Sequence, residues 1–269
     1  MMKTIKVISA LPLLTITIML VAVTGCNKDE FNGRQASYIL QVEDVLGVSG
    51  TATFNETSTT STNIDLVLIN APSGTHPAEL RMNSVVEGGN VVITLNPVDA
   101  TGKSSTAVTT ISFDMLIAYD GFIIVHNSSS EPDVILAQGD IGGNVITSTN
   151  KTFTLVTVST FGVSGTALYE KRVNGNTLVT ITLAGTIADE VYPASINLGS
   201  IESVGGGPVV KTLNDVEGTI GKSYTNIRKL DSGIDITYDN WLVYDGYINI
   251  YQTNVNIDNI ISHGNIGSN

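Results

Sequence analysis

Hydrophobic and polar positions alternate with a period of two along much of this chain. In Ile64-Asp65-Leu66-Val67-Leu68, the residues Ile64, Leu66 and Leu68 fall on one face. Val179-Thr180-Ile181-Thr182-Leu183 repeats the arrangement, with its threonines on the other face. Successive side chains of an extended strand point to opposite sides, so this pattern predicts strands with one buried face. Short runs rich in Val, Ile and Thr recur down the sequence, separated by clusters of Gly, Asn, Asp and Pro that read as turns. The one long apolar stretch, Val7 to about Val23, is uncharged. It is short for a spanning helix, which needs about 20 apolar residues. Beyond it no segment keeps a helical period, and the predicted fold class is all-β.

The strand pattern is written twice. Val48-Ser49-Gly50-Thr51-Ala52 recurs word for word as Val163-Ser164-Gly165-Thr166-Ala167. In the same order, His76-Pro77-Ala78 answers to Tyr192-Pro193-Ala194, Gly88-Gly89 to Gly206-Gly207, and Gly102-Lys103-Ser104 to Gly221-Lys222-Ser223. Tyr119-Asp120-Gly121 answers to Tyr244-Asp245-Gly246, and Gly139-Asp140-Ile141-Gly142 to Gly264-Asn265-Ile266-Gly267. The copies lie on the order of 100 residues apart, far beyond the about 20–50 residues of a solenoid unit, so the period implies tandem domains. Their expected bounds are 37–144 and 152–269. Many short strands in a domain of that size suggest a Greek-key β-sandwich or barrel for each.

The N-terminus carries a different signal. Met1-Met2-Lys3-Thr4-Ile5-Lys6 is basic, the apolar run follows, and Val23-Thr24-Gly25-Cys26 closes it. A basic start, an apolar middle and small residues at a cleavage point make residues 1–25 a secretory signal peptide. Val23-Thr24-Gly25-Cys26 resembles the bacterial lipobox, which implies lipid on Cys26 and a cut before it. Two or three acyl chains give a near-permanent membrane tether. The plainer alternative is that Cys26 is merely the last residue of an ordinary signal peptide. Residues 26–36 then form a polar, lipidated tether, with the first domain close to the bilayer and the second beyond it. Asn27-Lys28-Asp29-Glu30 resembles the surface-export signal of Bacteroidota lipoproteins, so the expected location is the outer membrane, surface-exposed or otherwise facing the periplasm. Cys26 is the only cysteine, which excludes an intramolecular disulfide.

Charge narrows the partners. The chain has formal net charge −12 with only 13 Lys+Arg, and losing Lys3 and Lys6 with the signal makes it more acidic still. Nucleic-acid binding needs basic surface, and so does attraction to anionic lipid head groups; neither is expected. Much of the acidity serves solubility.

The ordered set Ser-Gly-Thr-Ala, His-Pro-Ala, Gly-Gly, Leu95-Asn96-Pro97-Val98-Asp99, Tyr-Asp-Gly and Gln138-Gly139-Asp140-Ile141-Gly142 resembles the CHRD (chordin-type) domain as found in Bacteroidota lipoproteins. The resemblance covers nearly all of both copies. It implies a Greek-key β fold of immunoglobulin size, distantly similar to Cu,Zn superoxide dismutase, with no settled biochemical activity. Members of that family often read His-Pro-Ala-His-Ile-His with a further histidine on a later strand, a set able to share one metal ion. Here the first copy reads His76-Pro77-Ala78-Glu79-Leu80-Arg81 and keeps His126; the second reads Tyr192-Pro193-Ala194-Ser195-Ile196-Asn197 with Tyr251. Glu79 and Arg81 share a strand face. If the two strands are neighbours, His76, Glu79 and His126 could converge as a residual metal site. The competing reading is a surface pair in which Arg81 neutralises Glu79. No metal and no other cofactor is expected.

The remaining polar residues read as structure. Asp140 is expected to organise a turn through its side chain, and both Tyr-Asp-Gly triplets read as hairpin turns. His263 reads as a loop residue, and Trp241, the only tryptophan, as a core or copy-to-copy contact rather than a sugar platform. No nucleotide-binding, metalloprotease or serine-hydrolase motif is present, and no paired-carboxylate site suggests itself. The expected protein is a non-enzymatic, lipid-anchored envelope protein, held to the membrane through Cys26. Its two β domains would bind a protein or glycan, or serve a structural role. The alternative is a metal-binding or redox protein of dismutase-like architecture.

Overall fold

The computed structural model describes residues 33–269 except 159, 161, 204, 205, 254 and 255; Cys26 and the signal segment lie outside the described residues. The chain is all-β, in two eight-stranded, barrel-like sheets. The first is built from β1 (Gln35–Val42), β2 (Ser49–Ser58), β3 (Ser61–Ile69), β4 (His76–Met82), β5 (Val91–Val98), β6 (Lys103–Val108), β7 (Asp120–Ser128) and β8 (Glu131–Gly142). The second comprises β9 (Ile146–Thr157), β10 (Ser164–Arg172), β11 (Thr177–Ala184), β12 (Val191–Leu198), β13 (Val209–Glu217), β14 (Lys222–Ile227), β15 (Asp245–Thr253) and β16 (Asn256–Gly267). All named strand pairs are antiparallel. Among the described residues no helix is long and apolar enough to cross a membrane.

Strand order is the same in both sheets. The first runs β5-β4-β7-β8-β1-β2-β3-β6, and the second closes as β10-β11-β14-β13-β12-β15-β16-β9. The second closes through a single pairing of β13 with β14, Glu217 opposite Lys222. Each barrel has its own core. Ile64, Leu66 and Leu68 point inward on β3, and Val179, Ile181 and Leu183 do so on β11, as their alternation predicts. Burying each such side chain contributes about 1.5–3 kcal/mol.

Two one-turn helices interrupt the strands, α1 (Phe113–Ile117) and α2 (Tyr238–Trp241). Neither is long enough to leave a periodic trace in the sequence. Their caps are visible there in hindsight: Ser112 accepts from Met115 N, and Thr237 and Asn240 form a reciprocal capping box. The helices bury Phe113 and Leu116 in one barrel, and Tyr238 and Trp241 in the other. Trp241 is fully buried in the second core, packed edge-on to Tyr169 with ring centroids 6.1 Å apart.

The two Tyr-Asp-Gly triplets are not hairpin turns. Each leads from the helix into the next strand, β7 or β15. The tyrosine ring lies over the glycine two residues on: a Cβ on Gly121 would stand 2.7 Å from the Tyr119 ring, and one on Gly246 2.8 Å from the Tyr244 ring. The segment therefore needs glycine for space rather than for a tight turn. At the far end of the motif set, Gly142 and Gly267 adopt φ of 55° and 66°. A Cβ there would sit 2.3 Å from Tyr119 O or 2.0 Å from Tyr244 O.

Candidate functional site

On the outer face of β4 and β7, neighbours in the first barrel, the structure brings Glu79, Arg81 and His126 together. Alternation on β4 turns Glu79 and Arg81 outward while Ala78 and Leu80 enter the core. Arg81 Nε and NH2 donate to Glu79 Oε2 at 2.8 and 2.7 Å. His126 Nε2 lies 3.6 Å from the same oxygen, and its Nδ1 meets Pro132 O at 2.6 Å. These side chains line a groove of about 510 Å³ with Ile124, Ser128 and Ile135.

His76 is not part of that group. It is almost fully buried, with Nδ1 2.5 Å from Asn127 O and Nε2 2.9 Å from Pro72 O. Both ring nitrogens are committed to backbone carbonyls, so the ring ties the loop before β4 to the β7–β8 hairpin. A metal ion fits this set poorly. Only one imidazole nitrogen and one carboxylate oxygen converge, and that oxygen already accepts two guanidinium hydrogens. A cation there would sit against the charge of Arg81, whereas a zinc site draws on three or four protein ligands. Among the described residues no group of three or more His, Cys, Asp or Glu could hold a metal ion.

The matching position of the second barrel is neutral and internally bonded. Ser195 Oγ donates to Asn197 Oδ1 at 2.7 Å and lies 2.9 Å from Tyr251 Oη, while Asn197 Nδ2 donates to Gly207 O at 3.0 Å. His263 sits on β16 opposite Asn249, half-buried, and burial holds its pKa below the usual imidazole value.

The most heavily built polar cluster lies elsewhere, between the barrels, and sequence reasoning missed it. Arg172, at the end of β10, is completely buried. Its NH1 donates to Asp140 Oδ2 of the first barrel at 2.6 Å and also to Asn144 O. Asp140 is no local turn organiser: its Oδ1 accepts from Val85 N at 2.8 Å, in the loop after β4. Asn174 Nδ2 donates to Asp120 Oδ1 at 2.8 Å, and Asn226 Nδ2 to Glu87 Oε2 at 3.0 Å. These bonds cross from one barrel to the other around a buried guanidinium, and Asn174 N adds another by donating to Gly143 O at 2.9 Å.

Comparing the barrels isolates what is special here. Asn265 stands where Asp140 does and accepts from Ile201 N at 2.9 Å, the counterpart of the Val85 bond. Asn269 Nδ2 donates to Gly199 O as Asn144 Nδ2 donates to Asn83 O. An amide serves for the internal bond. The carboxylate of Asp140 adds a second acceptor, and that acceptor holds Arg172. The residue matching Arg172 is Thr57, which is exposed. The available sequence signal was this departure from the repeat, within the charged run Glu170-Lys171-Arg172. Comparisons with protein-family models, curated proteins and solved structures find no match to this chain.

Proposed function

We propose that the chain is a non-enzymatic, lipid-anchored envelope protein. In this reading two tandem Greek-key domains of the CHRD type form one body that meets a protein or glycan partner or serves a structural role. The observation that carries the reading is Val23-Thr24-Gly25-Cys26 directly behind a basic and then apolar leader, with β1 opening at Gln35. The shared strand order of the two barrels and the bonds welding them together support the rest. In β1 and β8, Gln41 pairs with Gln138 antiparallel, so the chain enters and leaves the first barrel at one end. Edge strands and loops are the natural contact surfaces of such a module. The location that follows is the outer membrane, facing outward or toward the periplasm.

Feeding the producing bacterium an alkyne fatty acid tests the anchor. The protein should take up the label, and Cys26→Ala should lose it; an unlabelled wild-type chain would overturn the reading. Protease treatment of intact cells should digest the barrels, and full protection would exclude surface display. The rival reading, a residual metal or redox site, rests on the 3.6 Å approach of His126 Nε2 to Glu79 Oε2. Stoichiometric metal in the purified protein would favour it over ours.

A further inference from the structure

The junction between the barrels holds more than the bonds that close it. Beside Arg172 lies a cleft of about 490 Å³, within the range of small-molecule sites. Its walls come from both barrels: Tyr38, Ile39 and Val85 on one side, Ile146, Leu178 and Tyr224 on the other. Most of that lining is apolar or aromatic. Arg172 also borders it and is its only cation among the described residues; the lining acids are Glu43 and Asp140.

The guanidinium there is half used. NH1 takes both of its acceptors, Asp140 and Asn144, while Nε and NH2 are buried and have no hydrogen-bond partner among the described residues. These two N–H groups form one edge of the planar fork, the edge that grips a carboxylate through two parallel bonds. Leaving a buried donor unpaired is costly, and here two unpaired donors share one side chain that borders a ligand-sized space. Glu170, two residues earlier on the same strand, feels the charge of Arg172 but makes no hydrogen bond to these nitrogens.

We propose that this cleft binds a small monocarboxylic acid with an apolar body, its carboxylate on the free Nε/NH2 edge of Arg172 and its body between Tyr38, Leu178 and Tyr224. A monoanion fits better than a phosphate, whose second charge would face Asp140 and Glu43. Both donors are shut off from solvent, so entry requires the rim side chains to part slightly. The site goes beyond the anchored-module reading and does not depend on lipid at Cys26.

The test uses the full chain in non-ionic detergent with 3-phenylpropionate as the probe and its neutral amide, 3-phenylpropanamide, as the control. Calorimetry should show saturable one-to-one binding of the acid, about tenfold or more tighter than the amide. The Nε–H resonance of Arg172 should move on titration. Tyr224→Ala removes one wall without touching the ion pair and should weaken the acid several-fold. Arg172→Lys keeps the charge, loses the fork and should abolish the preference for acid over amide. If that variant fails to fold, Tyr224→Ala and the Arg172 resonance decide. No saturable binding, equal affinity for acid and amide, or an unmoved Arg172 resonance would overturn the proposal.

Discussion

Replacing Asp140 by asparagine is the sharpest test of how the two barrels are held. The substitution is nearly isosteric, and an asparagine already occupies the matching position in the second barrel, where it accepts from Ile201 N. Asp140 has two acceptor oxygens in use, one for Val85 N at 2.8 Å and one for Arg172 NH1 at 2.6 Å. An amide has one carbonyl oxygen. In Asp140→Asn it can serve the loop or the guanidinium, and in the first case its own NH2 faces a cation. Arg172 is fully buried and would keep only Asn144 O as a partner. Removing one member of a buried pair costs about 3–5 kcal/mol, because the other charge stays behind uncompensated. Against a total stability of about 5–15 kcal/mol, that is a large fraction. Urea unfolding followed by the single tryptophan, Trp241, reports on the second barrel, although the substitution lies in the first. The midpoint should fall sharply. Adding Arg172→Met should restore it to wild type or above, since the double variant removes the stranded charge and its two orphan donors. A single variant within about 0.5 kcal/mol of wild type would refute the buried pair as the weld, since surface substitutions typically stay within that range. A double variant no better than the single one would refute the stranded charge as the cause.

Three further outcomes follow from other parts of the molecule. Gly267→Ala forces a Cβ to within 2.0 Å of Tyr244 O at a φ of 66°, and should lower the melting temperature by several degrees, a cost of about 1–3 kcal/mol; an unchanged melting curve would contradict the close approach. Trp241→Ala should cost about 3–5 kcal/mol by emptying the second core, and wild-type tryptophan emission should be blue-shifted and untouched by added oligosaccharides. Emission that sugars quench would instead place the ring at a binding surface. Arg34 donates to both Glu56 and Asp114, and its side-chain hydrogen bonds hold both carboxyls below their ordinary pKa values. A depressed folded pKa gives stability that is present above the unfolded value and lost as pH falls through the folded one. Stability should therefore drop below about pH 4, and Arg34→Gln should flatten that decline; an acid limb as steep in the variant as in wild type would exclude this origin.

Period-two alternation was enough to place the strands, because burial on one face of a sheet writes itself into every second residue. Ile64, Leu66 and Leu68 point where their spacing says. The repeated glycines were also legible as words, but not their cause. Gly50 and Gly165 recur because the carbonyls of Val67 and Thr182 occupy the space of a Cβ, at 2.3 and 2.0 Å, a packing contact that only coordinates display. The one-turn helices left no period, being shorter than the pattern that would announce them. The grouping of Glu79, Arg81 and His126 was half legible: strand alternation puts the first two on one face, and only the pairing of β4 with β7 brings in the third. The separation of His76 from that group was not legible at all. Its neighbours in sequence say nothing of Pro72 O and Asn127 O, which take both of its nitrogens.

The junction was hidden for a different physical reason, and the reason is itself informative. Bonds internal to a barrel must be made in both, so they are served by similar residues at matching positions, as Asp140 and Asn265 serve Val85 N and Ile201 N. Contacts between the barrels are made once, so the residues responsible have no counterpart to match. Asp140 differs from Asn265 by one acceptor, and that acceptor is the one spent on the other barrel. Arg172 differs from Thr57 by a whole charge, buried in one place and unneeded in the other. Similarity between the two sequence copies therefore reports the fold of each, while their charged differences report how the pair is joined. A carboxylate matched by an amide, together with an arginine matched by a small polar residue, is the trace that such a weld leaves in sequence. The guanidinium is the costly part. Asp140 and Asn144 satisfy only one of its nitrogens, and a well-packed apolar pair would hold the barrels together at least as well. Joining alone therefore does not account for a buried arginine with one edge free, whereas a carboxylate ligand in the adjoining cleft does.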